Sequence, residues 1–315
     1  MIYCLAHHII SPLGDGSQAN FEAVGAGKTG LRYYANRFVS VEPFCASLFT
    51  EPQAFVPLCI HSAEQAIKET NIVPSDENVV LILSTTKGDN LDLLSPAQQI
   101  AEHFGNRNKP IVVSNACTSG VCAHITAQRL LESGIYQHAI VIGCDLQTRF
   151  IVSGFQAFKA LSDEPCLPFS PERKGLNLGE AAATIIWSTD KQGDWRLAAG
   201  SIHNDANHIS APSRTAEGAF RCLRDVMQGV QPSDIDLLGV HGTATPYNDA
   251  METIAIERAG LQHATISSLK PVFGHTMGAA GVLETIICML SAKKQFIKLL
   301  SGFGGTNAAI RLTCE

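Results

Sequence analysis

Short apolar runs alternate with longer helical patterns along this chain, and no other feature narrows its fold as much. Val79-Val80-Leu81-Ile82-Leu83, Ile111-Val112-Val113, Ala139-Ile140-Val141-Ile142 and Ala183-Thr184-Ile185-Ile186-Trp187 read as buried strands. Leu237-Leu238-Gly239-Val240, a run near 265–268 and Ala308-Ala309-Ile310-Arg311-Leu312 continue the set. Helical patterns lie between them at about 61–70, 118–133, 213–229, 249–260 and 278–294. Strands that alternate with helices build a mostly parallel sheet with both faces covered, so the expected class is α/β. No linker rich in Ser, Pro or charge divides the chain into independent domains.

Composition removes several functional classes. With 45% hydrophobic residues and a formal net charge of −6 over 315 residues, the chain has neither the low hydrophobicity nor the high charge of a disordered protein. Its length suits one large domain or two fused halves, and it can bury a core without disulfide staples. A pI near 6.0 lacks the basic footprint of a nucleic-acid binder. Pairs such as Arg173–Lys174 and Lys293–Lys294 read as solvated surface, or as a patch that greets an acidic protein partner. The ten cysteines include no Cys-x-x-Cys pair and form no disulfide framework. Met1-Ile2-Tyr3-Cys4 opens without a signal-peptide pattern. The longest apolar stretch, near 276–292, is interrupted by Glu284 and falls short of the ~18 residues of a membrane span. The expectation is a soluble, reduced, cytoplasmic protein with no membrane span.

The two halves echo each other. A strand at 111–114 runs into Asn115-Ala116-Cys117-Thr118-Ser119-Gly120 and a helix. A strand near 265–268 leads through Lys270 to Gly274-His275-Thr276-Met277-Gly278-Ala279-Ala280-Gly281 and another helix. Small residues let the backbone pack closely at a helix N-terminus, where free N–H groups favour an anion. Each turn also carries a reactive side chain. Cys117, between strand and helix, is either a nucleophile whose thiol the helix N-terminus acidifies or a buried structural cysteine. His241 follows the strand 237–240, at the strand end where α/β sheets keep their ligand sites, and His275 sits in the second glycine-rich turn. Singly each histidine can be structural; Cys, His and His on three strand-end loops suggest one converging site. Ligand spacings for a zinc site are absent, so no metal is expected. Gly302-Phe303-Gly304-Gly305-Thr306-Asn307 lacks the order of a phosphate loop and precedes a strand, which describes a mobile or tightly turned loop bearing one aromatic.

Taken in order, Ala116-Cys117-Thr118-Ser119-Gly120, His241-Gly242-Thr243-Ala244-Thr245, Lys270 with Gly274–Gly281, and Gly302–Asn307 resemble the motifs of the β-ketoacyl-[acyl carrier protein] synthases. Ser11-Pro12-Leu13-Gly14 looks like that family's N-terminal turn, and Pro168-Phe169-Ser170 through Gly179-Glu180-Ala181 like its Pro-Phe-Asp…Gly-Glu-Gly segment. Thiolases pair Cys with His and a second Cys, and initiating ketosynthases use Cys, His and Asn. Two histidines resemble the elongating branch.

The resemblance implies a thiolase-like five-layered αβαβα sandwich of two related halves, residues 1–190 with Cys117 and residues 191–315 with His241, Lys270, His275 and the Gly302–Asn307 loop. It implies decarboxylative Claisen condensation of a Cys117-bound acyl group with malonyl-acyl carrier protein, in fatty acid, polyene or polyketide synthesis. Carried over by residue, Cys117 accepts the acyl chain, His241 and His275 hold the malonyl thioester and its enolate, and Lys270 orients the site. Cys117 and Phe303 N–H groups form the oxyanion hole, Thr243 and Thr245 contact the phosphopantetheine arm, Phe303 gates the acyl pocket, and Glu284 is structural near the site. No cofactor is implied beyond that arm; the implied partners are acyl carrier protein and a second subunit, as a homodimer or as a heterodimer with another ketosynthase. Departures from the family pattern are Ser170 for Asp, Ala181 and Ala183 for Gly, only 18 positions from Glu284 to Gly302, and an abbreviated stretch from about 45 to 110. Two rival readings are a catalytically silent or weakly active partner subunit like a chain-length factor, and a thiolase-like or hydrolytic enzyme acting on coenzyme A thioesters.

Overall fold

A computed structural model describes residues 1–39, 41–190 and 193–315. The first half runs β1 (Tyr3–Ser11), β2 (Gly14–Asp15), α1 (Ser17–Gly25), β3 (Arg32–Tyr34), β4 (Phe44–Ser47), α2 (Phe55–Lys68), β5 (Val79–Ser84), α3 (Leu94–His103), β6 (Ile111–Val113), α4 (Ser119–Glu132), β7 (His138–Asp145), α5 (Arg149–Ala157), β8 (Leu178–Gly179) and β9 (Ala181–Ser188). The second continues with β10 (Trp195–Asn204), α6 (Glu217–Val226), β11 (Leu237–Gly239), α7 (Pro246–Arg258), β12 (Thr265–Ser267), α8 (Lys270–Phe273), α9 (Ala280–Ser291), β13 (Gln295–Gly302) and β14 (Thr306–Cys314). Residue 191, the expected start of the second half, lies outside the described residues.

The main sheet follows the path β12-β11-β13-β14-β10-β1-β9-β7-β5-β6, with β2 added beside β1. It passes from β10 to β1 through the single pair Tyr3–Arg196. Five strands lie on each side of that junction, and the two sets repeat one plan. Numbered within each set, β6-β5-β7-β9-β1 and β12-β11-β13-β14-β10 both read 3-2-4-5-1. In each, the second strand is parallel to its two neighbours and the fifth is antiparallel to both of its own. The echo between two strand–turn–helix units therefore extends to whole topologies, giving a thiolase-like α/β fold of two related halves.

Helices α4 and α9 lie between the sheets, since each touches strands of both. Helices α2 and α3 cover the outer face of the first sheet, and α6, with α7 against it, covers the second. The layers are αβαβα. Residues alternate faces along a strand. Val80 and Ile82 of β5 accordingly join the core around α4 and α9, whereas Val79, Leu81 and Leu83 join the core under α2 and α3. In β13, Phe296 and Leu300 face the central layer, and Ile297 and Leu299 face the core under α6 and α7.

Several boundaries differ from the sequence expectation. Helix α2 begins at Phe55 rather than near 61, with Pro57 in its first turn, where a missing N–H costs no helical bond. Helix α7 begins at Pro246, its first helical residue. Helix α9 ends at Ser291, so the short interval from Glu284 to Gly302 holds both the end of that helix and all of β13. Strand β1 escapes the apolar-run rule because His7 and His8 interrupt it, and β10 because Gly200, Ser201 and His203 do.

Candidate active site

Cys117 occupies an elbow between β6 and α4. Ala116, immediately before it, takes a left-handed backbone at φ 47°. Thr118 and Ser119 turn their N–H groups back to the Asn115 and Ala116 carbonyls at 3.2 Å, and the Ser119 hydroxyl donates to the Ala116 carbonyl at 2.6 Å. These bonds hold the sulfur at the helix mouth. Gly302 permits the hairpin of β13 and β14 to approach, because a Cβ there would lie 3.1 Å from the Cys117 nitrogen. The Phe303 backbone N–H consequently reaches Cys117 as a hydrogen-bond donor.

His241 lies just beyond β11 on a loop tied down by α7. Glu252 accepts from the His241 N–H at 2.6 Å and the Gly242 N–H at 2.8 Å. Asp249 accepts from the Thr243 N–H at 3.1 Å and, across the chain, from Phe169 N–H at 2.8 Å. His275 is held through its own backbone: its N–H donates to the Asn177 carbonyl at 2.7 Å and its carbonyl accepts from Gly179 N–H at 3.0 Å. Next to it, buried Asp145 accepts from Gly278 N–H at 2.7 Å and Thr86 N–H at 2.9 Å, which fixes the turn that leads into α9.

These loops bring together the three side chains expected to converge. The Cys117 sulfur and a ring nitrogen from each histidine all lie within 4.8 Å of one another. The imidazole rings meet edge to face, 5.3 Å apart at 83°. Among the described residues no protein group hydrogen-bonds either ring nitrogen of His275 or Nδ1 of His241. A cavity of about 360 Å³ opens on all three, and Thr243, Thr245 and Phe303 line it. Thr243 and Thr245 hydroxyls lie 2.9 Å apart. The Phe303 ring stacks on Phe155 at 5.6 Å and tilts against Phe158 at 5.4 Å.

Behind the histidines sits a buried charge group. Lys270 and Lys298 each pair with one oxygen of Glu284 at 2.5 Å, and all three side chains are at most 3% exposed. Burial pushes His275 down to about 3, and the Lys270 and Lys298 charges add to the effect. His241 is driven well below its ordinary value by burial, then by Lys270, His275 and Lys298. Both rings are therefore neutral, with one donor and one acceptor nitrogen each. Cys117 differs from the expectation of an acidified thiol: burial lifts it to about 11, although Lys270 and the Phe303 N–H pull it down. A Cys-His-His cluster also has metal-ligating chemistry, but two buried ammonium groups behind it disfavour a dication.

Four site-supporting residues were not singled out from the sequence: Asp145, Asp249, Glu252 and Lys298. Lys298 left the clearest signal, a lysine inside the apolar run Phe296-Ile297-Lys298-Leu299-Leu300. The carboxylates left none, because each acts through backbone N–H groups that have no sequence signature. No helix among the described residues is long and apolar enough to cross a membrane.

The chain is similar to known proteins over most of its length. Residues 55–192 match the model "Beta-ketoacyl synthase, N-terminal domain", and residues 196–303 match "Beta-ketoacyl synthase, C-terminal domain". Nodulation protein E of Rhizobium meliloti is 34% identical over 211 residues, covering 63% of this chain and 52% of that protein. Thus the match spans about half the length of that relative. The 3-oxoacyl-[acyl-carrier-protein] synthase 2 of Coxiella burnetii is 28% identical over 347 aligned positions, covering 90% of this chain and 84% of the relative. A structure of a ketosynthase in complex with its chain length factor, from Xenorhabdus doucetiae, superposes with a TM-score of 0.92 at 23% identity, over all of this chain and 98% of that one. A β-ketoacyl synthase from Burkholderia phymatum superposes at 0.88 and 19% identity, over 100% and 99%.

Proposed function

From the premise that this chain belongs to the β-ketoacyl synthase family, we propose that it extends a Cys117-bound acyl group by decarboxylative condensation with malonyl-acyl carrier protein. The observation that carries the reading is the meeting of the Cys117 sulfur with two neutral histidines that line a shared cavity, His275 with both ring nitrogens and His241 with Nδ1 free of a protein partner among the described residues.

In the first half-reaction the Cys117 sulfur attacks the thioester carbonyl of an acylated carrier. Its proton passes to a neutral histidine and then to the departing carrier thiol. The N–H groups of Cys117 and Phe303 receive the oxyanion. In the second, His241 and His275 donate to the malonyl thioester carbonyl, so that charge left behind by departing CO2 rests on an enolate oxygen. The enolate carbon attacks the acyl carbonyl, a carbon–carbon bond forms, and Cys117 leaves as the thiolate. No step needs a metal or redox cofactor. Thr243 and Thr245 guide the phosphopantetheine arm, Phe303 gates the acyl pocket, and Lys270 with Glu284 fixes the electrostatics behind the histidines. Residues 1–190 supply the nucleophile and residues 191–315 the histidines, in a cytoplasmic dimer of like or unlike subunits.

Mass-detected acylation of Cys117, followed by malonyl-dependent condensation on carrier protein against coenzyme A thioesters, tests the reading. Full condensation by Cys117→Ala would sink it. A second reading, a chain-length-factor-like partner of another ketosynthase, draws on the near-complete superposition with a ketosynthase–chain length factor complex. Under it, the purified chain leaves Cys117 unacylated and supports condensation only when mixed with an active ketosynthase.

A further inference from the structure

Lys298 stands in the middle of a central strand, where burial of an ammonium group requires specific partners. Its register partner in β11 is Gly239. A Cβ on Gly239 would lie 3.0 Å from Lys298 Cδ and 2.7 Å from Cys288 Sγ, so the missing side chain is what gives the lysine stem its channel. Through that channel Nζ reaches the Val240 carbonyl at 2.8 Å and Glu284 Oε2 at 2.5 Å. Val240 is the residue before His241, and its N–H is held in turn by the Ser267 carbonyl at 2.9 Å. Both backbone groups of Val240 are thus fixed at the point where the chain leaves the strand for the histidine loop.

We infer that Lys298 is a positioning residue for His241, acting through the Val240 carbonyl and through a second buried positive charge behind the histidine pair. Lys270 already satisfies one oxygen of Glu284, so Lys298 is not needed to neutralise that carboxylate. In the Lys270–Glu284–Lys298 triad two lysines face one glutamate, one positive charge in excess, which Glu252 offsets only as it ionises near pH 7. The groups facing Lys298 are Glu284 of α9, Lys270 of α8, Glu252 of α7, Cys288 of α9 and the two histidines. The excess charge opposes protonation of either ring, which keeps an acceptor nitrogen and a donor nitrogen available on each.

This inference rests on the condensing reading, and its test separates the two. In Lys298→Met, acylation of Cys117 is expected to persist. Decarboxylative condensation falls by about 100-fold, the effect of a small misplacement at a reacting centre. Lys298→Gln, which keeps an uncharged N–H donor one bond short of the lysine's and directed along the same channel, recovers part of the rate. The ring titration of His241, followed by NMR of labelled histidine, moves upward in both variants whether or not the chain turns over. Folded variants with unchanged His241 titration overturn the inference, as does loss of the fold in both variants, which would assign Lys298 to the core alone. A wild-type chain that never acylates Cys117 defeats the condensing reading, while the His241 titration still decides the role of Lys298.

Discussion

Gly120 of α4 and Gly281 of α9 cross with backbone against backbone: a Cβ on Gly120 would meet the Gly281 Cα at 2.6 Å and its nitrogen at 2.8 Å. The crossing sits at the start of both central helices, directly behind the Cys117 elbow and the His275 turn. It sets the separation of the two halves' reactive loops. Gly120→Ala is expected to destabilise the fold by about 1–3 kcal/mol, as overpacking does, and to lower activity beyond the loss of folded protein. Urea denaturation together with acylation of the folded fraction measures both.

Glu284 holds two ammonium groups that have no access to water. Removing one partner of a buried ion pair leaves an uncompensated charge, typically about 3–5 kcal/mol. Glu284→Ala should therefore rank among the most destabilising single changes in this chain. A denaturation midpoint within error of wild type would contradict that account.

Much of this site was legible because its chemistry is carried by side chains within contiguous motifs. Cys117, His241 and His275 each stand in a short run of small residues, and the fold brings those runs to one cavity. What escaped reading acts at a distance in sequence. Glu252 and Asp249 are ordinary helix carboxylates until their backbone partners at 241–243 are known. The helix N-terminus argues locally for an acidified thiol, whereas burial of the sulfur in the folded chain pushes the thiol up. The interval from Glu284 to Gly302 is short, and β13 fits within it because only three residues separate α9 from the strand.

Glu252 gives a measurable pH dependence. Burial raises its carboxyl from 4.5 to about 7, against the pull of the His241 and Gly242 N–H groups. Between those values the folded chain keeps the proton and the unfolded chain has lost it. The unfolded state then binds fewer protons, so this group's contribution makes stability fall as pH rises through the window, by up to about 3 kcal/mol. Glu252→Gln, which cannot ionise, should flatten that slope. Denaturant titrations of both proteins at about pH 5 and about pH 7.5 test it, and parallel slopes would remove Glu252 as the cause.

Phe303 joins two roles that substitution can separate. Its ring packs between Phe155 and Phe158 over the cavity, and its N–H faces the Cys117 sulfur. Phe303→Ala keeps the N–H and deletes the ring. It should acylate Cys117 at a near wild-type maximal rate while losing discrimination between acyl chains, seen in KM values across a chain-length series. Phe303→Pro deletes the N–H as well. Loss of one oxyanion donor costs about 10²–10³ in rate, and the Cys117 thiol should titrate higher because a hydrogen bond to its thiolate is gone. If the two variants acylate equally fast, the Phe303 N–H is not an oxyanion donor.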